Sequence, residues 1–300
     1  MQDHFGLIEL YETVFGHTAT PAMWYWKYVP PWVRRHYCYV GRCDGRVIGY
    51  FGAVPLRGLD GDREVPYFQL ADLMVHPEYR LKFDYFDIGS RHILEDIHRS
   101  HPRHVVYGFS GHRAFRFLER SGMAGFIEKA QTRYVRRADG AAPDRLSVER
   151  WRFDAPEVDE VWGRWRPRLR AGLIRDAAYL GWRYGSHPVH GYRLLGLRDR
   201  GEAIGWVVHG TDRPGEHGRA KQTPVVDLLV EPEYLRDALA AVAEQVQNDL
   251  ILWLPEHVAP AFDEQKDSGT HCYHFVKESA LDTAYLREHL YYTMGDVDWW

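Results

Sequence analysis

Two copies of one sequence pattern stand about half a chain length apart, and they limit the fold of these 300 residues more than any other feature. Trp26-Lys27-Tyr28 returns as Trp182-Arg183-Tyr184, 156 positions later. Gly45-Arg46-Val47-Ile48-Gly49-Tyr50 returns as Gly201-Glu202-Ala203-Ile204-Gly205-Trp206 at the same offset. Asp72-Leu73-Met74-Val75-His76-Pro77-Glu78-Tyr79 returns as Asp227-Leu228-Leu229-Val230-Glu231-Pro232-Glu233-Tyr234, offset by 155. A period of this length is the size of a domain and well above that of a solenoid or propeller unit. The chain therefore reads as α/β, with two tandem domains over residues 1–140 and 148–300. Places where the copies differ point to function.

Local patterns give each half the same course. Apolar residues at three- and four-residue steps predict a helix over 5–16, and Pro21 opens a second at 21–28. Strands follow at 36–42 and 46–55 around Asp44-Gly45, a hairpin signal. A strand from Tyr67 to Val75 leads to a helix at 86–99, then a strand at 105–109, a helix at 112–121 and a strand at 126–136. Residues 138–147 are small, polar and aperiodic, and read as the linker. The second half predicts helices at 156–170 and 176–184, a hairpin at 191–198 and 203–210, and a strand at 225–230. After these come a helix at 233–248, a strand at 250–254, a helix at 256–267, and strands at 271–277 and 289–293. Each half is thus a mixed, partly antiparallel sheet flanked by helices.

Composition narrows the function. The formal net charge of −4 supplies no electrostatic pull toward nucleic acid or a membrane surface, and neither partner is expected. The three cysteines, Cys38, Cys43 and Cys272, form no Cys-x-x-Cys pair, which fits free thiols in a reducing compartment. No basic stretch followed by an apolar run opens the chain, and no segment has the length of a membrane span. A cytoplasmic protein is expected. A strand–GxGxxG–helix unit, a P-loop, a GxSxG elbow and a zinc-type histidine pair are all missing, so no metal is implied.

Three segments carry a family resemblance. Leu73-Met74-Val75-His76-Pro77-Glu78-Tyr79-Arg80 resembles the central strand and turn of the GNAT acyltransferase superfamily. Ala114-Phe115-Arg116-Phe117-Leu118-Glu119-Arg120-Ser121-Gly122-Met123 resembles its later helix, and the Asp44-Gly45 hairpin is typical of it. By element order the resemblance covers most of 5–137, and the repeat extends it to 151–300. More narrowly the chain is similar to tandem GNAT proteins associated with polysaccharide or amino-sugar pathways. The resemblance implies a coenzyme A thioester (acetyl-CoA or another acyl-CoA) as cosubstrate and a small-molecule amine such as an amino sugar as acceptor. The pantetheine arm would pair with a splayed strand, and the pyrophosphate would sit at the next helix start. Catalysis would rest mainly on positioning and oxyanion stabilisation.

On this reading Val75, Arg80, Lys82, Gly89, Ser90 and Ser110 are the candidate donor contacts, and Asp72, His76 and His112 the candidate catalytic groups. Asp72 lies in the central strand, though Asp227 keeps the same place in the other copy. Gln69, three positions earlier, is expected on the opposite strand face. His76 and His112 are candidates because the histidine side chain can act as base or acid. Arg91 is a further candidate cation for phosphate, and Arg113 and Arg116 for the adenosine end.

The chain departs from the family pattern where phosphates bind. The Gly-rich loop falls on Arg80-Leu81-Lys82-Phe83-Asp84-Tyr85 or, shifted, on Asp84-Tyr85-Phe86-Asp87-Ile88-Gly89. The family's helical tyrosine falls on Leu118, leaving Tyr107 and Tyr134 as substitutes. From Tyr79 to Val105 there are 26 residues, against 16 from Tyr234 to Leu250, so the N-terminal half is the expected donor site and the C-terminal half a structural, acceptor-shaping copy. In some tandem members the terminal carboxylate enters the site as base. Asp296, Asp298, Trp299 and Trp300 make a docked tail the expectation here. Two alternatives stay open: a non-catalytic binding or scaffold protein, and an acyltransferase using a carrier-protein or aminoacyl donor.

Overall fold

A computed structural model describes residues 4–80, 85–137, 143–214, 221–259, 262, 264–277 and 279–297. Helices α1 (His4–Phe15) and α2 (Pro21–Tyr28) lead into strands β1 (Tyr37–Cys43), β2 (Arg46–Asp60) and β3 (Arg63–Val75). A 3-10 turn, Pro77–Tyr79, precedes α3 (Tyr85–Ser100), β4 (Val105–Gly111), α4 (His112–Arg120) and β5 (Ala124–Val135). The second half runs β6 (Leu146–Trp151), α5 (Pro156–Trp165), β7 (Ala171–Leu173) and α6 (Ala177–Leu180), which passes into a π-helical turn, Gly181–Gly185. Then come β8 (Arg193–Asp199), β9 (Glu202–His209), β10 (Gln222–Val230) and α7 (Leu235–Val246), followed by β11 (Asp249–Leu252), β12 (Glu264–Phe275), α8 (Thr283–His289) and β13 (Leu290–Tyr291).

Local chemistry sets many of these boundaries. Thr20 caps α2 by accepting from the Met23 N–H at 3.2 Å, with Pro21 in the first turn, where its missing N–H costs nothing. Asp176 and Asp282 cap α6 and α8 in the same manner. The two hairpins turn through Asp44-Gly45 and Arg200-Gly201, all four at positive φ, as such two-residue connections require. The expected helix at 256–267 does not form: β12 begins at Glu264, and a long strand replaces it. Residues 138–142 of the expected linker lie outside the described segments, and its end is already edge strand β6. Thr283–His289 forms helix α8, for which no element was expected, and the expected last strand near 289–293 is the short β13, Leu290–Tyr291.

Among the described residues, thirteen strands form one sheet, ordered β13-β7-β2-β3-β4-β12-β5-β11-β10-β9-β8-β6, with β1 also on β2. The centre holds an exchange. β4 pairs antiparallel with β12 from the second half, while β5 from the first half pairs antiparallel with β11. β12 and β5 then pair with each other, so each half's last long strand completes the other half's part of the sheet.

The contact between halves has a reciprocal lock. The Trp26 indole N–H donates to the Trp182 carbonyl at 2.8 Å, the Trp182 indole donates to the Trp26 carbonyl at 2.8 Å, and the two rings stack. One large core runs through both halves on this side of the sheet, from Leu10, Tyr28 and Tyr67 to Trp206, Leu228 and Tyr291. A smaller core lies on the other side, where α3 and α4 set Ile93, Ile97, Phe115 and Leu118 on Phe68, Leu70 and Val106. Among the described residues no helix is long and apolar enough to cross a membrane.

Candidate active site

Strands β3 and β4 are parallel neighbours over three residues only, from Tyr67 opposite Val105 to Gln69 opposite Tyr107. β3 continues to Val75 and β4 to Gly111, and among the described residues the two do not pair with each other again. The result is a fork whose open arms expose backbone N–H and C=O groups that a ligand can pair with. A bulge in β3 helps to open it: the register with β2 slips between Tyr50 and Gly52, and Asp72 sits there at φ +50. Aspartate tolerates this left-handed backbone better than most residues. Its carboxylate is held on one oxygen by the Lys27 ammonium and the Tyr28 hydroxyl, each at 2.7 Å.

The second half has the same fork. β10 and β11 are parallel from Gln222 to Val225, and β10 then runs on to Val230 paired with β9 but no longer with β11. Here the chain's own segment 291–297 fills the opening. The Tyr291 hydroxyl donates to the Leu228 carbonyl at 2.6 Å, and the Thr293 hydroxyl donates to Asp227 at 3.1 Å. Gly295 has no room for a side chain, because a Cβ there would meet the Tyr184 hydroxyl at 1.9 Å. Asp227 is fully buried, with Arg175 Nε at 2.9 Å and the Tyr184 hydroxyl at 2.8 Å. The second nitrogen of Arg175 pairs with Asp296, whose carboxyl burial pushes above the usual range.

The candidate residues fall into separate groups. Asp72 and Gln69 lie on the side of the large core, since the bulge resets the alternation that had placed them on opposite faces. Gln69 donates to the Asp296 carbonyl at 2.7 Å, which ties the first fork to the segment filling the second. Val75 ends β3, and its carbonyl accepts from Arg80 Nε at 3.1 Å. His76 is buried and caps the next turn, accepting from the Glu78 N–H at 3.4 Å, with Arg46 at 3.0 Å from its other ring nitrogen. It is built into the turn.

Gly89 and Ser90 face inward. A Cβ on Gly89 would meet the Phe51 ring at 2.4 Å, and the Ser90 hydroxyl, fully buried, donates to the Asp87 carbonyl at 3.3 Å. Both serve the packing of α3 on β2. Arg91 pairs with Asp87 on the same helix. Lys82 lies outside the described residues, as do Asp298, Trp299 and Trp300. Ser110 and His112 come together at the far end of β4. Among the described residues the Ser110 hydroxyl is buried without a partner, and His112 is exposed at the start of α4, its ring 5.3 Å from that of His271. Burial lowers the pKa of His271, and Lys129 and His112 add to the effect. Tyr107 stands at the crotch of the fork. Tyr134 is on the stretch of β5 that pairs with β11, beyond β12.

Sequence reasoning missed Lys27, Tyr28 and Arg175. For the first two the signal was present. Trp-Lys-Tyr and Trp-Arg-Tyr repeat at nearly the spacing at which Asp72 and Asp227 repeat, and the two tyrosines hold the two aspartates.

A parted parallel strand pair with a bulge and a helix on one side is the architecture of the GNAT acyltransferase fold. Residues 2–111, which include this fork, match the family model described as an acetyltransferase (GNAT) domain. The chain is similar in structure to a GCN5-related N-acetyltransferase from Anabaena variabilis (TM-score 0.69, 14% identity, 93% of this chain and 71% of that one). It is similar to a GCN5-related N-acetyltransferase from Kribbella flavida (TM-score 0.66, 16% identity, 93% and 70%). It is also similar to Saccharomyces cerevisiae N-myristoyltransferase with bound myristoyl-CoA (TM-score 0.57, 10% identity, 91% and 76%). No curated protein sequence matches the chain. The chain shares the overall fold of these neighbours, and residues 2–111 match the GNAT acetyltransferase domain.

Proposed function

We propose that this protein is an N-acyltransferase that takes an acyl-CoA in the first fork and passes the acyl group to a small amine, such as an amino sugar. The observation that carries this reading is the fork itself: β3 and β4 separate after Gln69 and Tyr107, and the described chain leaves their facing edges unpaired. A pantetheine arm adds there as a strand would. The N-myristoyltransferase neighbour has myristoyl-CoA bound, which supports a thioester donor. We read the chain as a fused duplication whose second fork became structural when residues 291–297 settled into it. In the first fork Asp72 is a positioning residue that fixes the bulge, while Ser110 and His112 stand on β4 and α4 where a departing thiolate would be met.

Calorimetric titration with acetyl-CoA, together with thiol release on adding primary amines, tests the proposal. Binding near one equivalent and amine-dependent release are expected, and saturating donor should raise the melting temperature by mass action. Silence in both assays over acetyl-CoA and longer acyl-CoAs would refute it. A second reading rests on Arg80, which occupies the Val75 carbonyl, and on the inward-facing Gly89: a donor on a carrier protein needs no free diphosphate site. Acyl transfer from loaded carrier protein, with none from CoA, would select that reading.

A further inference from the structure

A cavity of about 400 Å³ lies at the β6 edge of the sheet, many strands from the first fork. The pairing of β6 with β8 ends at Trp151 opposite Leu194. The chain beyond that point on β6, and just before it on β8, forms the walls. Arg150, Arg152 and Arg193 are exposed there, so the cavity is reachable from solvent. Its size falls in the range of small-molecule sites, about 300–1,000 Å³. A second cavity of about 150 Å³ adjoins it and shares Arg193.

The charge in the larger cavity is unbalanced. Its one acid, Asp154, is taken up by Arg152 through two hydrogen bonds of 2.8 Å each. Arg150 and Arg193 have no ion-pair partner among the described residues. Arg150 is directly opposite Leu195, and Arg193 comes two residues before Leu195, so both stand on one face of the sheet as diagonal neighbours. Arg193 is also directly opposite His209 on β9. Burial lowers the His209 pKa and both arginines lower it further, against the Gly210 carbonyl and Asp212. Asp212 lines the smaller cavity and accepts from the Thr223 hydroxyl at 2.9 Å. Like charges side by side on neighbouring strands are destabilising. Guarding a sheet edge accounts for a cation on β6. It does not account for Arg193, whose strand lies one place inside the edge.

The rest of the wall is aromatic and firmly held. Phe153 and Tyr192 are half-buried, and both rings rest on the buried Tyr184, with centroids 6.3 Å and 5.2 Å away. Tyr184 is itself fixed by its hydrogen bond to Asp227. Gly181, at the start of the π-helical turn, also lines the cavity, and a Cβ there would meet nothing within 4 Å. Two guanidinium groups without counter-ions match a dianionic phosphate, which arginine grips with paired hydrogen bonds. The ring-lined wall matches a flat ring.

We propose that this cavity binds a phosphate monoester that carries a flat ring, of the class of a nucleoside monophosphate, with the phosphate on Arg150 and Arg193 and the ring against Phe153 and Tyr192. The site is separate from the first fork and does not depend on the acyltransferase reading.

Calorimetry on the full chain with uridine 5′-monophosphate, uridine and glucose 6-phosphate tests the site. A pyrimidine is used because coenzyme A itself carries an adenosine phosphate. The nucleotide is expected to bind, with uridine and glucose 6-phosphate each weaker by about tenfold or more, since each lacks one half of the match. Arg193→Gln is expected to weaken the nucleotide about tenfold or more, the scale of a hydrogen bond to a charged group, and to leave uridine unchanged. Gly181→Leu, which the helical backbone at φ −61 accommodates, is expected to abolish nucleotide binding by filling the open space. Melting temperatures of both variants show that they are folded. No binding of the nucleotide, an affinity unchanged by Arg193→Gln, or glucose 6-phosphate bound as tightly as the nucleotide overturns the proposal.

Discussion

Replacing Arg175 by methionine is the sharpest test of how segment 291–297 is held. The guanidinium is completely buried and bonds Asp227 and Asp296, with a third contact to the Leu173 carbonyl at 3.3 Å and its face 4.9 Å from the Tyr291 ring. Methionine keeps much of the apolar stem and removes the charge. The Thr293 hydroxyl lies 3.1 Å from an Asp227 oxygen and 3.2 Å from an Asp296 oxygen, so those oxygens are at most 6.3 Å apart. Two charges at that separation repel by about 2–3 kcal/mol at an effective dielectric of about 20. Adding the lost hydrogen bonds, the loss at pH 8 is about 3–5 kcal/mol, the usual cost of breaking a buried ion pair from one side.

The protein can escape the repulsion by protonating Asp296, whose carboxyl burial already favours in the neutral form. From an ordinary aspartate pKa this costs about 5–6 kcal/mol at pH 8 and only about 1–2 kcal/mol at pH 5. The destabilisation is therefore expected to be about 2 kcal/mol smaller at pH 5 than at pH 8. Urea unfolding of the native and Arg175→Met proteins at the two pH values measures it, and Arg175→Met with Asp296→Asn should recover part of the pH 8 loss. A loss below about 1 kcal/mol at pH 8, or an equal loss at both pH values, refutes the argument that this cluster is electrostatically tight.

Three further outcomes follow from the same packing. Gly89→Ala is expected to lower stability by about 1–3 kcal/mol through overpacking against Phe51, with Phe51→Leu relieving part of it in a double-mutant cycle. Unchanged stability with acetyl-CoA affinity lost would instead place Gly89 at the donor. Asp72→Ala and Asp72→Gly both discard the carboxylate, but only glycine accepts φ +50 without strain. Urea midpoints should therefore rank Gly above Ala by about 1 kcal/mol, and equal midpoints would sink the bulge argument. Glu128, with its folded pKa raised, favours the folded state in its protonated form. Native stability falls as pH rises from the ordinary carboxylate range through the raised value, and Glu128→Gln should remove that part of the slope in melting curves from pH 4 to pH 8.

Much of the fold was legible because its signals are local. Pro21 at the start of α2, the turn at Asp44-Gly45, and the apolar run into His76-Pro77 each act within a few residues. What could not be read depended on distant partners. Nothing near residue 264 announces that β12 will lie between β4 and β5, and the stretch 256–267 carries enough helical character locally to mislead. At the site, the repeat made Asp72 and Asp227 visible as a pair, but the +50° backbone of Asp72 put Gln69 on the same side of the sheet rather than opposite. Gly89 resembled a phosphate-loop glycine, whereas its missing Cβ makes room for Phe51 across the helix–sheet contact. Lys27, Tyr28 and Arg175 gain their carboxylate partners only once distant strands and segments lie together. Their meaning is in what surrounds them, which spacing along the chain does not encode.

The exchange of β5 and β12 has a consequence for biosynthesis. A ribosome releases the first half long before Glu264–Phe275 has been translated, so β4 waits beside an open slot while more than a hundred further residues emerge. The nascent N-terminal half is bound to expose one flank of an unfinished sheet, the kind of edge that invites aggregation. Closure is necessarily late and long-range, which makes for slow folding. Cells producing this protein would gain from a chaperone that shields that flank, and a fragment ending near residue 140 should precipitate instead of behaving as an independent module.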